Sequence, residues 1–177
     1  MSSADTSFRS HVWLSYHQIH LRALDEPLPR YPAAFPNGLI ALDEEPDGAT
    51  ILTGISMGLA DVTVQLAGAS PPLDLDSWDE VVEVSIESTT GSLYVCGLDG
   101  DLPKDLPNLA TGGEGFYRLR VHAVGRDTNV DGTARTPTEH YLIISWPASP
   151  ESEIVYKTSD AYGERVRNRP RRRTSGE

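Results

Sequence analysis

Between Glu80 and Ser88 apolar and polar side chains alternate without a fault. Val82, Val84 and Ile86 fall on one side, and Glu83, Ser85 and Glu87 on the other. A period of two belongs to a pleated strand with one buried face; no helix accommodates it. The same pattern returns at 61–66 (Val62, Val64 and Leu66 against Asp61, Thr63 and Gln65) and at 116–124, where Phe116, Arg118, Arg120 and His122 oppose Tyr117, Leu119, Val121 and Ala123. Residues 11–24, rich in aromatic and β-branched side chains, read as one opening run. Shorter strands are expected at 38–42, 49–55, 92–97, 140–146 and 152–158. Turn chemistry separates them: Glu45-Pro46-Asp47-Gly48, Thr90-Gly91, and the Pro71-Pro72 and Gly112-Gly113 loops. The expectation is an all-β chain, an antiparallel β-sandwich of about nine strands in a single domain. It would span residues 11–160, with a disordered N-terminus at 1–10 and a disordered basic tail at 161–177, where arginines recur without periodicity.

Charge is laid unevenly on this pattern. Residues 41–110 hold fourteen carboxylates and one base, Lys104, whereas the last fourteen residues hold six arginines against Glu164 and Glu177. The formal net charge is −11. Such a body repels nucleic acid and anionic membranes and suits a basic partner. The arginines at 165–173 oppose that only locally, and an electrostatic fold-back onto the acidic face, or no role beyond solubility, accounts for them better than phosphate binding.

Several classes of chemistry lack their residues. With one cysteine, Cys96, an intramolecular disulfide and a thiolate zinc site are ruled out, and Cys96 within a strand run reads as a small buried hydrophobe. No Gly-x-Ser-x-Gly elbow or Gly-x-x-x-x-Gly-Lys loop occurs, and Gly112-Gly113-Glu114-Gly115 precedes a strand, not a helix. Among the histidines, His17 and His20 are three apart on a strand-like run and so face opposite sides. Asp43 to Gly48, Asp99-Gly100-Asp101 and Asp127 to Gly132 supply oxygens, but none has the spacing of a calcium loop. No catalytic residue, cofactor or metal is expected. Neither a secretory leader nor a run of about 20 apolar residues is evident, so the expected setting is cytoplasmic.

Three stretches resemble the competence protein J family of bacterial nuclease inhibitors. One is Leu14-Ser15-Tyr16-His17-Gln18-Ile19, whose Ser-Tyr-His-Gln core is similar to that family's N-terminal strand. The second is the strand triplet Gly38-Leu39-Ile40-Ala41, Asp47-Gly48-Ala49-Thr50-Ile51-Leu52 and Ala60-Asp61-Val62-Thr63-Val64. The third is Gly115-Phe116-Tyr117-Arg118-Leu119 with Glu139-His140-Tyr141-Leu142-Ile143. The resemblance covers roughly residues 12–146 and leaves out the 98–114 loop and the tail. It implies an all-β inhibitor that acts in the cytoplasm and holds a nuclease inactive by complex formation; together with the acidic body, the expected protein partner is a basic nuclease or toxin.

The candidate partner-binding residues are Asp74, Asp76, Trp78, Asp79, Glu80, Glu83 and Glu87. Carboxylates on one face of a strand stand about 6.8 Å apart, close to phosphate spacing, and such a row can occupy a basic cleft as a phosphate mimic. Trp78, inside Asp76-Ser77-Trp78-Asp79, would be the anchor. A plainer arrangement uses the same residues: Glu83 and Glu87 pair across the sheet with Arg118 and Arg120. A sugar- or calcium-binding β-module is the alternative function, with Trp13, Trp78 and Trp146 as stacking material, although Trp13 and Trp146 sit within strands and suit core or sheet surface.

Overall fold

A computed structural model describes residues 6–24, 31–44 and 46–169. The strands are β1 (Thr6–Ser15), β2 (Gln18–Arg22), β3 (Ile40–Leu42), β4 (Gly48–Leu52), β5 (Met57–Leu66), β6 (Glu80–Ser88), β7 (Tyr94–Cys96), β8 (Gly115–Val124), β9 (Thr133–Ala134), β10 (His140–Pro147) and β11 (Ile154–Thr158), followed by the helix α1 (Ala161–Arg167).

The all-β class holds; the antiparallel sandwich does not. One eleven-stranded sheet runs in the order β11-β6-β8-β10-β5-β1-β2-β4-β3, with β7 added to β2 and β9 to β5. It curls into a half-barrel of mixed orientation. The mixture arises at β5, which pairs in parallel with both β10 and β9 and antiparallel with β1. Alternation within a strand reveals which side chains share a face. It carries no information about which distant strand lies alongside, and parallel neighbours need long crossovers that leave no local mark.

The concave side holds the main core. Val12, Leu14, Ile19, Leu21, Ile51, Ala60, Val62, Val64, Val82, Val84, Ile86, Leu119, Val121 and Ile143 form one buried cluster there. The strand parity read from the sequence is the parity of this core. The opposite face of β6, β8 and β10 is also covered, by the chain before β6 and the chain after β10. Ala67, Ile144 and Trp146 pack there with Leu142 and Ala148, and the Arg120 guanidinium lies 5.2 Å above the Trp146 ring.

Three local expectations change. Residues 11–24 are a hairpin, not one run, and β1 begins at Thr6, within the segment assigned to a disordered N-terminus. The two turn residues, Tyr16 and His17, have φ of 54° and 62°. That is the geometry of a two-residue hairpin loop, normally signalled by Asn-Gly. Second, the strand expected at 61–66 begins earlier, at Met57, and runs through Gly58. A Cβ there would collide with the Ala134 backbone, so glycine admits β9 at close range instead of breaking the strand. Third, residues 161–167 of the expected disordered tail form α1. The Asp160 side chain caps it by accepting from the Gly163 N–H at 2.7 Å. Tyr162 and Val166 bury against Phe35 and Leu52. The tail beyond Arg169 and residues 1–5 of the N-terminus lie outside the described residues.

Candidate partner-binding surface

Strand β6 puts its carboxylates in unlike surroundings. Glu83 is buried opposite Arg120, with Arg118 diagonal to it. Arg118 Nε donates to Glu83 Oε1 at 2.8 Å and Arg120 Nε to Oε2 at 3.0 Å. The remaining guanidinium donors find acceptors on β6 itself and on the covering segments. Arg118 reaches Ser85 Oγ and the carbonyls of Glu151 and Ser152; Arg120 reaches the Pro71 carbonyl and Ser70 Oγ. One carboxylate between two arginines is a finished interior structure with nothing left for a visitor. Glu87, at the far end of the same face, lies opposite Phe116 and is exposed.

Glu80 has the other parity and closes one end of the half-barrel. It is fully buried; its Oε1 accepts the N–H groups of Ser159 and Asp160, both at 3.1 Å, and its Oε2 accepts from Arg167 at 3.3 Å. Burial first, and the neighbouring Asp160 second, push its carboxyl up to about 7. Asp160 takes the fork of Arg126 at 2.7 and 2.8 Å, and Arg126 also donates to the carbonyls of Gly38 and Leu52. These contacts tie β6, β4, the loop before β3 and α1 together.

The expected set of six carboxylates and Trp78 is therefore divided. Glu80 and Glu83 leave it, because both are buried and bonded within the fold. Asp79 is half-buried and accepts the Gly125 N–H at 3.2 Å. Trp78 is half-buried against His122, ring centroids 5.2 Å apart. Asp74, Asp76 and Glu87 are exposed. None of these three has an ion-pair partner among the described residues.

Carboxylates of the candidate calcium loops also work inside the fold. Asp127 accepts the Ala161 and Tyr162 N–H groups, Asp47 binds Thr89, and Asp43 accepts from Thr50. No group of three or more His, Cys, Asp or Glu is placed to hold a metal ion among the described residues. Asp61 is gripped by Arg9 and by His140 Nδ1 at 2.8 Å, and these hydrogen bonds hold its carboxyl below the usual range. That pair has an orienting carboxylate and an imidazole, but no nucleophile bonded to them among the described residues. Cys96 is buried and its thiol is pushed up to about 11, mainly by burial.

Sequence reasoning missed the strained turn at Tyr16 and His17. His17 is strained but well held. Its Nδ1 lies 2.8 Å from the Thr53 carbonyl, its Nε2 3.1 Å from Asp131, and its ring stacks 6.0 Å from Tyr162. Its turn partner Tyr16 carries comparable strain and is 72% exposed. Trp13, for which core or sheet surface is expected, lies on the sheet surface and is 49% exposed. Two concavities are also lined by the described residues. One, of about 260 Å3, is lined by β3 and by the part of β6 beyond its pairing with β11, with Ile40, Leu42 and Val84 on its walls and Glu151 and Glu153 beside them. The other, of about 170 Å3, lies along β1.

No helix of the described residues is long and apolar enough to cross a membrane. No protein-family model matches the sequence, and no curated protein matches it by sequence. Solved structures do match. The crystal structure of ComJ, inhibitor of the DNA degrading activity of NucA, from Bacillus subtilis, superposes with a TM-score of 0.58 at 16% identity, over 82% of this chain and 100% of that one. The crocagin biosynthetic gene J product superposes with a TM-score of 0.50 at 15% identity, over 82% of this chain and 99% of that one. The curled sheet is thus not peculiar to this sequence, and the Ser-Tyr-His-Gln run lies at its strained hairpin: in fold, the chain is a ComJ-like protein.

Proposed function

We propose that this protein is a non-enzymatic inhibitor that binds a basic-clefted nuclease in the cytoplasm and blocks its access to DNA. The observation that carries this reading is the fold shared with ComJ across 82% of the chain. The charge agrees with it. A chain with a net charge of −11 is poorly suited to hold DNA and well suited to occupy the cleft that DNA would fill. Asp74, Asp76 and Glu87 act as steering charges, raising the encounter rate with a cationic partner more than the final affinity. Trp78 offers the partner its open side and is held in place by His122. Asp79 fixes the start of β6, and Glu80 and Glu83 shape the scaffold without touching the partner.

The test is direct. The purified protein is titrated into a small basic endonuclease encoded beside it, and degradation of duplex DNA is followed at several salt concentrations. Stoichiometric loss of cleavage that weakens as salt rises is the expected result. Full cleavage in the presence of excess protein at low salt would remove the reading.

A further inference from the structure

The slot along β1 owes its existence to strand pairing. β1 pairs with β5 along its whole length, but its second edge meets β2 only at Ser15 and Gln18. β7 occupies the edge of β2 from His20 to Arg22. The chain leaving β7 then passes beside β1, so close at Gly97 that a Cβ there would strike the Trp13 carbonyl. A tight turn follows, with Gly100 N–H donating to the Gly97 carbonyl at 3.1 Å and Gly100 at φ +79°. The turn raises Asp99, Asp101 and Leu102 next to Trp13 and leaves about 170 Å3 between them, with Val12 and Pro103 completing the walls and His11 bordering.

The composition of the slot is specific. Trp13 is 49% and Leu102 39% exposed. Met57, also exposed, shares Trp13's sheet face one diagonal step away across β1 and β5. Asp99 and Asp101 are exposed and have no ion-pair partner among the described residues. The Arg22 guanidinium lies against Gly100, which leaves two carboxylates against one cation. The volume is below the range of small-molecule sites, about 300–1,000 Å3, and suits a single long side chain. Apolar and indole walls fit an alkyl stem and a planar cation, and paired carboxylates fit a fork of donors. Guanidinium meets all of these; an ammonium lacks the plane and the fork.

We propose that this slot takes one arginine side chain of a protein partner, stacked on Trp13 and bonded to Asp99 and Asp101. A nucleic acid or an anionic lipid would meet the carboxylates with like charge. A second copy of this chain, at −11, would meet long-range repulsion. The identity of the partner as a basic nuclease rests on the function proposed above; the chemistry of the slot does not.

Two measurements separate the slot from that function. In the first, N-acetyl-arginine methylamide is titrated into the full-length protein while the indole N–H resonance of Trp13 is followed, assigned through Trp13→Phe. A saturable shift is expected, absent with the citrulline analogue and weakened roughly tenfold or more in Asp99→Asn/Asp101→Asn. No shift, or an equal response in the double variant, overturns the proposal. If Arg171→Gln/Arg172→Gln/Arg173→Gln alone moves the Trp13 resonance, the chain's own arginines are the occupant and the partner assignment is overturned. In the second, nuclease inhibition by Asp99→Asn/Asp101→Asn and Trp13→Ala is compared with wild type. Inhibition retained in full by both variants sinks the slot as a contact and spares the inhibitor. A wild type that binds the arginine probe but inhibits no nuclease leaves the slot standing and sinks the function.

Discussion

Glu83 and Glu87 stand four residues apart on one face of one strand, and their circumstances are opposite. Glu83 is sealed beneath the segments at 70–72 and 151–152, with two arginines locked onto it. Glu87 is past the reach of that cover and is solvated. Nothing in their local sequence separates them; both follow the same alternation. What separates them is chain that arrives from elsewhere, the Pro71-Pro72 stretch and the residues after β10. A strand pattern assigns a face, and the tertiary cover decides whether that face is wet.

The contrast can be broken most sharply at Glu83 itself. Glu83→Gln removes the charge that holds two buried guanidinium groups. Leaving buried cations uncompensated costs about 3–5 kcal/mol, so the urea midpoint of Glu83→Gln should fall steeply. Glu87→Gln should stay within about 0.5 kcal/mol of wild type. Equal effects at the two positions would mean that the cover over Glu83 is open in solution.

Glu139 sharpens the comparison, because it is buried without an arginine fork. Its oxygens accept from Gly54 N–H at 2.8 Å, Ile55 N–H at 2.6 Å and the Tyr141 hydroxyl at 2.6 Å. Burial raises its carboxyl above the ordinary value. Glu139→Gln turns one acceptor into a donor facing a donor, a loss of about 1–3 kcal/mol. The effect should be smaller than at Glu83→Gln, since no buried cation is orphaned. A chemical denaturation series on the two variants decides the order.

Part of this fold is legible in the amino-acid order alone. The bounds of β6 and the parity of β5, β6 and β8 follow from alternation, because burial on one face imposes a period of two. The pairing of Glu83 with the β8 arginines is legible too, as one of two arrangements for the same residues. Other features leave no local trace. The turn at Tyr16-His17 lacks glycine and asparagine. His17 is held there by Thr53, Asp131 and Tyr162, residues 36 to 145 positions away. The helix at 161–167 has a capping aspartate, but it is too short for a period to show among arginines. Trp13 follows strand alternation, which sets it on the face opposite the buried Val12 and Leu14, but alternation alone does not tell whether distant chain covers that face.

Glu80 tests the comparison through pH. Its carboxyl sits near 7 when folded and near the ordinary 4.5 when unfolded. The folded state therefore holds the extra proton between those values. Stability from this group is fully present below about 4.5 and is lost as pH rises through about 7. His20 runs the other way. Burial lowers it to about 4, so its contribution is present above about 6.5 and lost as pH falls through 4. Glu80→Gln should flatten the decline between pH 5 and 8 and leave the acid limb in place. An unchanged slope would mean that Arg126 and Arg167 keep Glu80 ionised.

The smallest stability effect belongs to the exposed pair. Asp74→Asn/Asp76→Asn should unfold with wild type, within about 0.5 kcal/mol, because neither carboxylate has an internal ion pair to lose among the described residues. Its consequence is kinetic. Removing two steering charges lowers the association rate with a basic nuclease at low salt and leaves dissociation nearly unchanged, and the difference closes as salt screens the field. Stopped-flow association at two ionic strengths resolves the two rates. A large change in dissociation would place Asp74 and Asp76 inside the contact instead of around it. The same double substitution, made beside an intact Asp99 and Asp101, asks which acidic surface the partner reaches. A lost association rate with full arginine binding in the β1 slot assigns steering to one region and grip to the other.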